Sequence, residues 1–86
     1  MQKKLRMSKN NKLVMRLLSY PKDFTYDELK TLLFSFGYRE IQGAGSRVCF
    51  AKETHKIKLH KPHPINKLKR YQLDLIVGEL TNKGLI

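Results

Sequence analysis

Acidic residues are scarce in this chain: seven Asp and Glu stand against eighteen Lys and Arg in 86 residues, a formal net charge of +11. That imbalance exceeds what solubility requires and favours a polyanionic partner, nucleic acid ahead of an anionic membrane surface. Cysteine is scarcer still. A single residue, Cys49, excludes an internal disulfide framework and any multi-cysteine zinc or iron–sulfur site, which fits a reducing cytoplasm and reads as a small strand residue. No apolar run approaches the roughly 20 residues of a membrane span. Basic residues interrupt Met1–Ser19 where a secretory signal needs an unbroken apolar stretch, and Ser and Arg are too few there for a mitochondrial leader. A cytoplasmic protein without a membrane partner is expected. A chain this short forms one domain, residues 1–86, whose core is a layer of helices on a small sheet, too thin to hold a deep small-molecule pocket.

The charges that are present cluster. Residues 1–24 carry seven bases and one acid, and residues 52–70 carry seven more bases and one acid, together with all three histidines, His55, His60 and His63. Between them, residues 25–51 are balanced. Cations neutralise phosphates and release their counterions, while histidine is the side chain that exchanges protons near neutrality. Residues 52–70 are therefore where function is expected.

Leu13, Val14, Leu17 and Leu18 recur at helical spacing, so Asn11–Ser19 reads as a short amphipathic helix that stops before Pro21. Its start falls near Lys9, and Met1–Asn10 reads as a basic arm. The next helix is written in local chemistry. Thr25-Tyr-Asp-Glu28 is a capping box, Phe24 can staple onto Leu29, Leu29, Leu32, Leu33 and Phe36 form an apolar stripe, and Gly37 closes the helix as a left-handed cap. Tyr38–Gln42 reads as a strand and Gly43-Ala-Gly45 as a sharp connection. Ser46–Ala51 and His55–His60 follow as strands joined by a short hairpin, with His55 in the turn. Ile57 and Leu59 alternate with Lys56, Lys58 and His60, which puts a cationic stripe on the solvent face of the sheet. Beyond Pro62 and Pro64, Asn66 can cap a last helix. Leu68, Tyr71 and Leu75, with Leu73, Ile76, Val77 and Leu80, would form its broad apolar face, and Gly84 would end it.

The order is α-α-β-β-β-α, an α+β fold. A basic helical extension over about 1–19 precedes a core, 20–86, with the α-β-β-β-α order of the double-stranded-RNA-binding domain, in which two helices cover one face of a three-stranded antiparallel sheet.

Asp23-Phe-Thr-Tyr-Asp-Glu-Leu29, Phe36-Gly-Tyr38, Gly45-Ser46, Lys61-Pro-His63, Leu68-Lys69 and Leu73-x-x-Ile76 occur in that order. As an ordered set they resemble the HicA family of bacterial toxins, over about residues 12–86. The resemblance implies a small toxin that cleaves messenger RNA and is neutralised by a co-encoded HicB-type antitoxin. In the family pattern a catalytic histidine follows the Gly-Ser pair, and a second histidine precedes the last helix. Here Arg47 occupies the first of those positions, and His63 corresponds to the second. Arginine stays protonated and cannot act as a general base, although its guanidinium fork can clamp a phosphate.

The residues themselves leave several readings open. His63, held between two prolines, is a preorganised imidazole or only part of a rigid turn. His60 ends the third strand on its lysine face, toward the ligand or toward solvent. Arg47 is a phosphate ligand or a solvated strand-start arginine, and Ser46 can add a hydroxyl contact. Lys56, Lys58, Lys61, Lys67, Lys69 and Arg70 form a phosphate track or a solvated face. Tyr71 belongs to the apolar stripe ahead of a role in base stacking. The three histidines lack a neighbouring carboxylate or thiolate and sit among lysines, so no metal site is expected. No other cofactor is expected.

These readings converge on a metal-independent endoribonuclease acting on RNA. In it His63 first, or His60, removes a ribose 2′-hydroxyl proton, and Arg47 and Lys58 stabilise the charge that develops. An RNA-binding module without catalysis, and an adaptor that docks a partner protein, are the alternatives. The free chain is expected to be a monomer.

Overall fold

The computed structural model describes residues 9–86. The basic arm expected at the N-terminus lies, through residue 8, outside the described residues. Three helices, α1 (Lys9–Leu18), α2 (Tyr26–Ser35) and α3 (Arg70–Asn82), accompany three strands, β1 (Arg39–Gln42), β2 (Arg47–Lys52) and β3 (His55–His60). The strands form one antiparallel sheet in the order β1-β2-β3. Among the described residues no helix is long and apolar enough to cross a membrane.

Helix α2 begins and ends as its sequence dictates. The Thr25 hydroxyl accepts from the Glu28 amide at 3.1 Å while the Glu28 carboxylate accepts from the Thr25 amide at 2.9 Å, so two orphan donors are satisfied reciprocally. Phe24 and Leu29 are both fully buried in the same cluster. At the other end Gly37 takes φ +97°, its amide reaches the Phe34 carbonyl and the Tyr38 amide reaches that of Leu33. This is the paired bonding of a Schellman cap, which a left-handed glycine permits. Gly84, at φ +72°, repeats it after α3, with Gly84 and Leu85 donating to Thr81 and Leu80.

The core lies between the sheet and the helices. Leu29, Leu32 and Leu33 from α2 and Leu73, Ile76 and Leu80 from α3 pack with Val48, Phe50, Ile57 and Leu59 from the inner sheet face. Helix α1 joins this layer. Leu17 is fully buried, and Arg16 hydrogen-bonds to Glu28 at 2.7 Å and to the Asp23 carbonyl at 2.9 Å, tying α1 to the start of α2.

Four details differ from the sequence reading. The hairpin between β2 and β3 is tighter, because Lys52 pairs with His55 and only Glu53 and Thr54 turn the chain, with Glu53 at φ +56°. His55 is consequently a strand residue. Asn66 does not cap α3, which starts at Arg70. Its carboxamide accepts from the Tyr26 amide at 3.2 Å and thus serves α2. A bridge between Thr25 and Lys67, together with the Leu68 amide on the Phe24 carbonyl at 2.8 Å, holds residues 66–68 extended until Leu68 is buried. The later start sets the phase of α3. Leu73, Ile76 and Leu80 face inward with Gln72, and Tyr71, at 64% exposure, is outside the core along with much of Leu75.

Candidate functional site

Strand register decides which side chains share a face, since partners across an antiparallel ladder point the same way. Ile41, Cys49 and Lys58 form one cross-strand row, Arg39, Ala51 and Lys56 a second, and Arg47 and His60 a third. These rows make the outer face, opposite the helices. The structure therefore brings Arg47 directly opposite His60, and both are exposed.

The loop before β2 shapes this end of the sheet. Gly43 donates its amide to the Arg47 carbonyl at 2.8 Å, and a Cβ on Gly43 would stand 3.2 Å from that oxygen and 3.3 Å from the Arg47 Cβ. The missing side chain lets the loop lie against Arg47. Ser46 follows, with its Oγ 3.2 Å from His60 Nδ1 and its carbonyl accepting from the Lys61 amide at 2.8 Å. Ser46 thus orients the imidazole of His60 and anchors the chain that leaves β3.

Two hollows open around these residues. One, about 400 Å³, lies on the outer face between Ile41, Gly43, Arg47, Cys49, Lys58 and His60. The other, about 420 Å³, is walled by Gly45, Ser46, Lys61, Pro62 and His63. Ser46 links them, contacting His60 on one side and lining the recess of His63 on the other. The ammonium group of Lys61 lies 5.9 Å from the centre of the Tyr26 ring. Burial, then the hydrogen-bonded Glu40 carboxylate, pushes the Tyr26 phenol well above its ordinary pKa, so its hydroxyl stays a donor.

Of the residues expected to act together, Ser46, Arg47, Lys58, His60, Lys61 and His63 gather at this end of the sheet, and Lys56 continues the outer face one row further. Lys67, Lys69 and Arg70 belong to the helical layer instead. Lys67 sits in the bridge to Thr25, Lys69 stands at the N-cap position of α3 without a side-chain capping bond, and the Arg70 guanidinium lies 4.0 Å from the centre of the Tyr20 ring and 3.5 Å from Asp74. The six cations expected to form one track are thereby drawn from two layers.

The histidines are divided too. His60 ends β3 on the outer face, whereas His55 starts it on the inner face, with Nδ1 2.5 Å from the Tyr38 hydroxyl and Nε2 2.7 Å from Glu79 Oε1. Burial, then the Glu79 charge, raises the Tyr38 pKa. Among the described residues no group of three His, Cys, Asp or Glu side chains is placed to hold a metal ion. The sequence reading missed the bond from His55 to Glu79, because its partners are 24 residues apart and no local pattern marks them.

Comparison with family models, curated proteins and solved structures found no match to this chain.

Proposed function

We propose that this protein is a toxin-like, RNA-binding endoribonuclease of the kind its resemblance to the HicA family implies. The observation that carries the reading is the register of β2 and β3, which sets Arg47 beside His60. A permanently charged guanidinium and an imidazole side by side supply the two functions that RNA cleavage by its own 2′-hydroxyl needs, charge stabilisation at phosphorus and proton transfer. The layering supports the finer reading of a double-stranded-RNA-binding-domain-like core: α2 and α3 cover one face of the sheet and leave the cationic face open.

In this mechanism His60 donates Nδ1–H to Ser46 and uses Nε2 to take the proton from a ribose 2′-hydroxyl. The 2′-oxygen bonds to the adjacent phosphorus and the bond to the 5′-oxygen breaks, leaving a 2′,3′-cyclic phosphate. His63, on the other side of Ser46, returns a proton to the departing 5′-oxygen. Arg47 and Lys58 neutralise the charge on the phosphoryl oxygens. Messenger RNA is the substrate class and a HicB-type antitoxin the protein partner that the reading implies.

Single-stranded RNA incubated with the chain in EDTA tests this directly. Cleavage is expected, with DNA of the same sequence left whole, and one 2′-deoxy sugar at a mapped cut site should abolish the cut there while binding persists. His60→Ala should lower the rate roughly 10²–10⁴-fold, the usual worth of a general base. Cleavage that tolerates the deoxy sugar, or that requires a divalent metal, refutes the mechanism. RNA that is bound but stays intact would instead favour a non-catalytic RNA-binding module, consistent with arginine at position 47.

A further inference from the structure

On the outer face Ile41 of β1 and Cys49 of β2 stand side by side, with Ala51 buried in the next row, and cations border them. Lys56, Lys58 and His60 line one side along β3, Arg47 closes the end, and Arg39 stands at the far row. Ile41 is 41% exposed although it occupies a strand, and Cys49 beside it is half-buried in the floor of the hollow of about 400 Å³. That volume lies within the range of about 300–1,000 Å³ typical of small-ligand sites. No helix covers this face among the described residues.

We infer that this hollow seats one unstacked nucleobase of a single-stranded RNA, over Ile41 and Cys49, while Arg47 and Lys58 hold the phosphates on either side. The inference rests on the RNA-binding reading and specifies its substrate. An apolar floor bordered by cations suits a ligand that is apolar on its flat faces and anionic along its edge, which describes a nucleotide. Duplex RNA buries the faces of its bases in the stack and can offer this surface only phosphates. An acidic protein segment would satisfy the cations and leave Ile41 uncovered. Gly43 keeps the loop low beside Arg47, so the end of the hollow toward His60 stays open. A base seated there places its own ribose and phosphate near the Arg47–His60 pair.

Cys49 is the sole cysteine of the chain, so its alkylation by N-ethylmaleimide reports on the floor of the hollow in the native protein. A short oligouridylate should slow alkylation at least about tenfold, as expected where a base covers the thiol. Inorganic polyphosphate at matched charge, and a poly(A)·poly(U) duplex, should slow it much less. In parallel, Ile41→Ala should weaken oligouridylate binding roughly fivefold, by removing apolar contact, and leave polyphosphate affinity unchanged. Circular dichroism verifies that the variant is folded.

Equal protection by oligouridylate and polyphosphate, or equal losses of both affinities in the variant, would overturn the seat. So would stronger protection by polyglutamate than by oligouridylate, which would assign the face to an acidic protein. The two readings fail separately. A chain that cuts RNA while oligouridylate leaves its thiol reactive keeps the nuclease and loses the seat. A chain that cuts nothing, yet is protected by oligouridylate alone, keeps the seat and loses the nuclease.

Discussion

His55 and Glu79 meet across the gap between sheet and helix, with Nε2 of the imidazole 2.7 Å from the carboxylate and the ring only 13% exposed. The other ring nitrogen holds the Tyr38 hydroxyl, so one histidine joins the start of β1, the hairpin and the last turns of α3. Its role is structural. His55→Phe keeps the ring and deletes both hydrogen bonds, which should cost about 1–3 kcal/mol because the buried Tyr38 hydroxyl is left unpaired. Urea denaturation measures this. A variant as stable as the parent would make the bridge incidental. Oligonucleotide binding should not change, since His55 faces away from the outer surface.

Leu17 carries a second test of stability. Were α1 a mere extension, its truncation would be silent. The side chain is fully buried in the common cluster, so Leu17→Ala should cost about 2–5 kcal/mol. A loss below about 0.5 kcal/mol, the range of ordinary surface substitutions, would return α1 to the status of an appendage.

Acid should weaken the same corner. The Arg16 hydrogen bond, followed by the Thr25 amide and the nearby charge, holds the Glu28 carboxyl below its usual value of 4.5, against the opposing effect of burial. A depressed folded pKa means that the stabilisation is complete above about 4.5, the unfolded value, and is lost as pH falls through the lower folded value. Glu28→Gln retains an acceptor for the capping box and removes the charge. It should lower stability at neutral pH by about 0.5–1 kcal/mol, the scale of a partly exposed ion pair, and flatten the acid limb of the curve of stability against pH. An unchanged acid limb would contradict this assignment.

Salt dependence tests how the cations are divided. If the RNA track comprises Arg47, Lys56, Lys58 and Lys61, the slope of log K against log salt for a single strand should be roughly −3, at about 0.7 per phosphate. The full set expected from sequence would give about −4 to −5. Arg47→Ala should make the slope less negative by about 0.7 and Lys67→Ala should leave it unchanged. Equal effects from the two would place the helical layer on the track as well.

Where the sequence was legible, short-range chemistry had written it. Thr25 and Glu28 lie one turn apart and Gly37 supplies its own left-handed backbone, so both ends of α2 could be read from neighbouring residues. Alternation alone identified the outward lysines of β3. The start of α3 could not be read, because a bridge to Thr25, 42 residues earlier than Lys67, overrides the capping preference of Asn66. Tyr71 left the core for the same reason. The candidate site was half legible: its residue types stood out, but the pairing of Arg47 with His60 depends on the length of the hairpin. Slipping the register by one residue would send every β3 side chain to the opposite face, and the turn of Glu53 and Thr54 determines that Lys58 and His60 look outward.

Residues 61–69 cross the molecule without regular structure and contain Lys67 and Lys69, after either of which a trypsin-like protease could cut. Yet both ends are fastened, the Lys61 amide to Ser46 and the Leu68 amide to Phe24, while Gln72 at the start of α3 reaches back to the His60 carbonyl at 2.8 Å. A protease must draw out several residues in extended form, and these bonds resist such withdrawal. Early nicks should therefore fall elsewhere on the chain, and a cut within 61–69 would signal that the contact between sheet and helices had already opened.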